Sequence, residues 1–389
     1  MFETLTEQPA DALLALIGLF RDDPRQGKLD LGVGVYRDDT GATPIMKAVK
    51  AAEGVLLETR TTKSYLGPEG DLVFVDLLKP IVFGADPGER VVGVQTPGGT
   101  GALRLGAELL AAARPGARVL VGTPTWPNHA PIIRATGLEL ALHPFFDVAT
   151  QRLDFAALTV AVGAAGPGDV VLLHGCCHNP AGADLDDAEW DELAELLAAR
   201  GVTPFVDLAY QGLGRGLEAD ARGTRRLVER LPEVLIAYSC DKNFGLYRER
   251  VGALYALAAD AAAAETVKSN MAALARVNWS MPPDHGAAIV RTVLEDGELT
   301  ALWRAELLEM GDRVRAVRAA IAAAEPRLAV LARQQGMFST LPLTPEQIRR
   351  LRTDHAVYMA GSGRINLAGL RVGDVPAFVE ALAAVGFPG

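Results

Sequence analysis

Cysteine is scarce in this chain of 389 residues, with three in all and two of them adjacent. That is no disulfide framework, and it leads to the expectation of a reducing cytoplasm. No apolar run approaches the ~20 residues that a membrane-spanning helix needs. The opening Met1-Phe2-Glu3-Thr4-Leu5-Thr6-Glu7 has neither the basic nor the apolar region of a secretory signal. Positive charge is in the minority, 38 Lys and Arg against 48 Asp and Glu, a net charge of −10. Nucleic acid and anionic membrane are therefore not expected as partners. Metal-ligand spacing is missing too. His174-Gly175-Cys176-Cys177-His178 crowds four donors into five residues, which cannot easily converge as a tetrahedron, so no metal site is expected.

The length exceeds what one compact core accommodates and implies two domains, with room for one of them to be discontinuous. Residues 1–12 carry few apolar side chains and read as an arm. Residues 13–20 form a short apolar helix candidate stopped by Asp22-Asp23-Pro24. Residues 29–36 alternate as a strand interrupted by Gly32 and Gly34, a sign of close backbone approach. Beyond about residue 88, apolar strands alternate with amphipathic helices. The strand candidates are 118–122, 169–174, 203–206, 234–237 and 251–257. The helices include 102–113 and 186–200, the latter opened by an Asp186…Glu189 capping pair and stopped at Gly201. This alternation predicts an α/β fold with a mostly parallel sheet covered on both faces. A long helix over 302–324 and shorter mixed segments to the C-terminus predict a smaller α+β domain.

Chemistry collects where these strands end. Residues 234–237 deliver Lys242 to the C-terminal edge of the sheet, where open α/β sheets bind ligands. Flanked by Ser239, Arg248 and Arg250, it suits an amine that forms a Schiff base with a phosphorylated aldehyde, although a surface lysine in a charged loop would read the same. Gly98-Gly99-Thr100-Gly101 opens a helix and offers backbone N–H groups and a helix dipole to an anion. Trp126 follows a strand and can stack on a flat ring, or simply fill a core. Asn179-Pro180-Ala181-Gly182 is a turn that points an amide into a cleft. Asp207, carried by apolar neighbours, needs a cationic partner. The protonated ring nitrogen of pyridoxal phosphate is one, and a buried arginine is another. Tyr210 could then donate to the ring's phenolic oxygen.

Taken together, these segments resemble the class I, fold-type I pyridoxal-phosphate aminotransferases of the aspartate and aromatic amino acid subgroup. The resemblance runs over nearly the whole chain, through Leu31-Gly32-Val33-Gly34-Val35-Tyr36, Lys63-Ser64-Tyr65-Leu66-Gly67, Gly98 to Arg104, Trp126 to His129, His174 to Gly182, Asp207 to Gly212, Lys242 to Gly252, Arg276…Ser280, Gly336-Met337-Phe338 and Ser362-Gly363-Arg364. It implies a seven-stranded, mostly parallel sheet in a large domain of residues 46–308. A discontinuous small domain would comprise 13–45 and 309–389. Lys242 would be the Schiff-base lysine and proton shuttle. Asp207 would keep the cofactor's ring nitrogen protonated, with His129 behind it. Asn179 and Tyr210 would bind the ring oxygen, and Trp126 would stack on the ring. Gly99, Thr100, Ser239 and Arg250 would hold the phosphate, with Tyr65 reaching across from a second subunit of a homodimer. Arg364 would take the substrate α-carboxylate. Arg276 of the other subunit would take a side-chain carboxylate, and Gly34 and Phe338 would close over the substrate. The implied activity moves the amino group of aspartate or aromatic amino acids to 2-oxoglutarate in two half-reactions. The alternatives are a β-decarboxylase or β-lyase with the same cofactor, or a non-catalytic binding protein.

Two residues depart from the family pattern. Asp241 stands before the lysine where Ser or Ala is usual. It should either turn away or meet an extra cation, and it would raise the pKa of the lysine's imine. Met281 replaces a small polar residue, and its flexible thioether would admit aromatic side chains.

Overall fold

The protein is described here by a computed structural model covering residues 1–7 and 12–387. Of the expected arm, residues 1–7 are exposed and residues 8–11 lie outside the described part, as do 388–389.

The central sheet has seven strands: β1 (Val91–Pro97), β2 (Arg118–Thr123), β3 (Glu139–Pro144), β4 (Val170–His174), β5 (Thr203–Leu208), β6 (Val234–Ser239) and β7 (Val251–Leu257). Their spatial order is β1-β7-β6-β5-β4-β2-β3. The strands from β6 to β3 run parallel, while β7 is antiparallel to both neighbours, β1 and β6. The reason these segments become strands is visible in β6. Val234, Ile236 and Tyr238 enter one apolar cluster, and Leu235 and Ala237 enter the other, on the opposite face of the sheet. A side-chain period of two with both faces covered demands a continuous apolar run, which is what the sequence carries there.

Five of the seven strands coincide with the expected runs. The two that were not anticipated break the rule of continuity. Gly93 and Gln95 interrupt β1, and β3 is an edge strand whose Glu139, Leu142 and Pro144 face solvent. Gly93 is needed: a methyl there would meet the Tyr255 ring at 2.6 Å.

The helices that matter for the cleft are α1 (Gly98–Ala113), α2 (Asp187–Arg200), α3 (Ala261–Asn278) and α4 (Gly297–Ala324). Helix α1 begins four residues before the expected 102, so the glycines form its first turn rather than a preceding loop. Helix α2 carries the anticipated capping box, Asp186 accepting from the Glu189 N–H and Glu189 accepting from the Asp186 N–H. Such a cap stabilises a helix by about 1 kcal/mol. The helix stops at Gly201 in the left-handed region, φ 65°. Helix α4 starts before the expected 302 because Asp296 caps it through the Glu298 and Leu299 N–H groups. The N-terminal helix spans Ala12–Asp22.

The expected strand over 29–36 is corrected. Only Leu29–Asp30 is a strand, pairing in parallel with Val357–Tyr358. From Gly32 onward the backbone carbonyls are taken by side chains instead of a ladder: Arg364 Nη2 donates to Gly32 O at 2.8 Å, and Asn366 Nδ2 donates to Val33 O and Val35 O at 2.6 and 2.7 Å. The close approach read from the glycines is present, since a methyl at Gly32 would lie 2.2 Å from Leu16 Cδ2. Leu29 and Leu31 also join an apolar cluster of their own with Val317, Ile321, Ile365 and Phe378. This second core ties residues near the start of the chain to its C-terminal third. Among the described residues, no helix is long and apolar enough to cross a membrane.

Candidate active site

Because β2, β4, β5 and β6 are parallel, their C-terminal ends share one edge, and the side chains just beyond them converge there. In register, His174 at the end of β4 stands opposite Asp207, which pairs in turn with Ala237 of β6. The resulting cleft is lined by Gly99, Thr100, Trp126, Asn179, Asp207, Tyr210, Ser239 and Lys242, all anticipated, together with Leu103, His174, Ala209 and Asp241. It encloses about 400 Å³, part of it open to solvent.

Asp207 is 6% exposed and accepts a hydrogen bond from His129 Nε2 at 2.9 Å. Burial pulls its carboxyl upward. The His129 hydrogen bond, together with the charges of His129, His174 and Lys242, outweighs that and holds it below the usual carboxylate range. Lys242 Nζ lies 5.2 Å from the centroid of the Tyr210 ring. Burial lowers its pKa, opposed by Asp241 and Asp207 and reinforced by Arg250. An amine eased toward its neutral form is a nucleophile. Tyr210 Oη accepts from Asn179 Nδ2 at 3.3 Å, and burial pushes its phenol pKa up. The turn that presents Asn179 is closed by the Gly182 N–H donating to His178 O at 2.7 Å.

Arg364 reaches the same place from the C-terminal part of the chain. Its Nη1 lies 3.5 Å from Asn179 Oδ1, and its guanidinium stacks 4.6 Å from the centroid of the Phe338 ring. Its Nε is buried without a partner among the described residues. Burial lowers the guanidinium pKa. A forked cation with an unspent donor at the mouth of a cleft is built for a carboxylate. Phe338 also meets Tyr210 edge-on at 5.8 Å, and a methyl at Gly34 would lie 2.9 Å from its Cζ.

Of the other anticipated residues, Arg250 borders the cleft through Asp241, whereas Tyr65 and Arg276 lie away from it. Tyr65 is 93% exposed, and Arg276 sits in the exposed last turn of α3, where it donates to Ser280 Oγ. The segments bearing them touch: the Leu66 N–H points at Met281 Sδ, 3.0 Å away. Met281 is thus part of that outer face and not of the cleft of its own chain.

Asp241 resolves the choice the sequence left open. Its side chain is 3% exposed and ion-paired with Arg250 Nη1, while its other oxygen accepts the Val251 N–H at 3.1 Å. In sequence His174 belongs only to a crowded run of donors and carries no role. It lines the cleft, and burial together with the His129 charge drives its pKa down to about 3 against a weaker pull from Asp207. Its neighbours His129, His178 and Asp207 come from a helix, a turn and an adjacent strand, which no local pattern announces.

The residues present fit pyridoxal phosphate. Gly99 leaves room that a methyl would take from Ser239, 3.0 Å away. The first N–H groups of α1 have no partner within the helix, and an ionised buried carboxylate stands across the cleft from a buried amine. An open α/β sheet carrying this set at its C-terminal edge defines a pyridoxal-phosphate enzyme of fold type I.

Comparison with known proteins narrows the class. The family model for aminotransferase class I and II matches residues 26–382. The chain is 55% identical over 381 residues to a tyrosine aminotransferase of Rhizobium meliloti, covering 96% of this chain and 97% of that one. It is 44% identical to an aspartate aminotransferase of Salmonella typhi, covering 99% and 100%. An aromatic-amino-acid aminotransferase from Burkholderia pseudomallei, solved covalently bound to pyridoxal phosphate, superposes with a TM-score of 0.96 at 37% identity, covering 99% of both chains. The chain belongs to the class I and II aminotransferases and is a pyridoxal-phosphate-dependent transaminase.

Proposed function

We propose that this transaminase moves the amino group of aspartate and aromatic L-amino acids to 2-oxoglutarate, and that the cleft residues divide the work as follows. When bound, pyridoxal phosphate supplies an electron-withdrawing ring that stabilises negative charge at the substrate Cα. Lys242 would hold the cofactor aldehyde and, once displaced from it by the substrate's amine, its freed Nζ would carry the proton from the substrate Cα to the cofactor's C4′. Asp207, kept ionised by His129, holds a proton on the ring nitrogen. Asn179 and Tyr210 bind the ring oxygen, and Trp126 covers the ring. Gly99, Thr100, Ser239 and Arg250 seat the phosphate. Arg364 binds the α-carboxylate, with Gly34 and Phe338 closing above it and excluding water.

Tyr65 and Arg276 lie on one outer face of the chain, away from its own cleft. This supports a homodimer in which Tyr65 joins the partner's phosphate seat and Arg276 meets the partner's substrate side chain. The chain is read as cytoplasmic, with a large domain of residues 46–308 and a small one of 13–45 and 309–389, the latter in keeping with the separate apolar cluster around Leu29 and Phe378.

The observation that carries the reading is the meeting of Lys242 and Asp207 on one cleft whose mouth is guarded by Arg364. The test is a panel of amino donors with 2-oxoglutarate. Parallel double-reciprocal lines with aspartate and with tyrosine or phenylalanine are expected. Intersecting lines, or carbon dioxide or β-substituent release without an oxo-acid acceptor, would overturn it.

A further inference from the structure

The seat assigned to the cofactor phosphate already holds an anion that belongs to the chain. Asp241 and Arg250 both press against the first residue of α1. A methyl at Gly98 would lie 2.6 Å from Arg250 Nη2 and 2.9 Å from Asp241 Oδ2. Gly98 has φ 69°, so glycine is needed there on two counts. Arg250 Nη1 is spent on Asp241 and on the carbonyl of Tyr247 at 3.2 Å. Asp241 is in turn fixed by the Val251 N–H and by its own N–H donating to Ser239 Oγ at 3.2 Å. Ser239 is itself one of the phosphate-seat residues. The positive end of a helix and a guanidinium, which together would draw a phosphate strongly, are thus partly answered by a buried carboxylate.

We infer that Asp241 is an internal counter-anion of the phosphate seat, which lowers the seat's net positive charge and loosens the hold on the cofactor's phosphate. This rests on the reading of the cleft as a pyridoxal-phosphate site. Asp241 acts on the phosphate by offsetting the charge of Arg250 and of the start of α1, without touching the phosphate itself. The carboxylate also keeps the guanidinium and the buried Lys242 from facing each other uncompensated when no cofactor is bound.

The experiment measures equilibrium binding to the cofactor-free enzyme of two probes that form no bond to Lys242. Pyridoxamine phosphate carries the phosphate and pyridoxamine lacks it. The isosteric Asp241→Asn is compared with the native chain, and Asp241→Ser is the second variant should the first fail to fold. The expected result is pyridoxamine phosphate bound about tenfold more tightly by the variant, an advantage that shrinks as salt is raised, with pyridoxamine unchanged. Equal or weaker binding of pyridoxamine phosphate by the variant overturns the inference and makes Asp241 a support that Arg250 needs. Equal tightening of both probes overturns it as well, since the phosphate would not be what Asp241 senses. A native chain that takes up neither pyridoxal phosphate nor pyridoxamine phosphate sinks the cofactor reading itself, which the variants alone do not.

Discussion

His129 Nε2 and Asp207 Oδ2 stand 2.9 Å apart with both side chains sealed from solvent, while His129 Nδ1 lies 2.7 Å from Thr125 Oγ1. Asp207 is ionised and acceptor-only, so Nε2 carries the proton, and in the neutral ring Nδ1 accepts from the Thr125 hydroxyl. The carboxylate thus sets the tautomer, and the threonine hydroxyl, free to donate, anchors the other edge of the ring. Replacing His129 with Asn should lower kcat about tenfold with little change in KM, because the ring binds no substrate. A steady-state comparison reads this directly, and an unaltered kcat removes His129 from the chain of support.

The two arginines should separate by substrate. Arg364→Leu is expected to cut kcat/KM about 100-fold for every amino donor, since on the proposed assignment it would strip the partner from the α-carboxylate. Arg276→Ala should cost a similar factor with aspartate and little with phenylalanine. Equal losses with both donors for Arg276→Ala would count against its assignment to the side-chain carboxylate.

Lys242 feels Asp241 as well as Asp207, both favouring the protonated form against the cost of burial. Asp241→Ser should therefore lower the pKa of the lysine's imine with the cofactor by about one unit. Absorbance of the holoenzyme titrated against pH is the measurement, and an unchanged or higher pKa contradicts the claim.

Gly34 faces Phe338 so closely that an added methyl would lie 2.9 Å from Cζ. The obstacle is the far end of a side chain, so Gly34→Ala should fold normally and push the ring off Arg364. A severalfold rise in KM with a preserved melting temperature is expected. Loss of stability in place of the KM change would mean that the backbone, and not the ring, gives way.

Acid should weaken the cofactor-free protein through His174. Its folded-state pKa is about 3, below the ordinary 6.5, so the unfolded chain binds more protons between those values. Stability contributed by the neutral imidazole is thus present above 6.5 and lost as pH falls toward 3. Asp184 runs the other way, since burial raises its carboxyl to about 6. His174→Asn should flatten the fall in unfolding free energy on going from pH 6.5 to pH 4 by up to about 1.4 kcal/mol per pH unit. Denaturant unfolding at several pH values decides it, and an unchanged slope refutes the role of His174.

Local order made the middle of the chain legible in sequence. Strands buried on both faces must be apolar throughout, so β2, β4, β5, β6 and the antiparallel β7 are marked by continuous apolar runs. The Asp186…Glu189 cap and Gly201 marked both ends of α2. Residues at or just beyond the ends of those strands, Trp126, Asn179, Asp207 and Lys242, therefore fall on one edge from the sequence alone. Where a strand carries glycine or faces water, as β1 and β3 do, the pattern fades. The stretch from Gly32 to Tyr36 reads as a strand only because nothing local reveals that Asn366 and Arg364, more than 300 residues on, capture its carbonyls. Periodicity and turn chemistry act over a few residues, and they determined the elements and the order of the chemistry along the chain. Which carboxylate meets which cation is decided by packing between segments far apart in sequence. Only the folded chain could pair Asp241 with Arg250, aim His129 at Asp207, set His174 beside them, and leave Tyr65 and Arg276 facing outward.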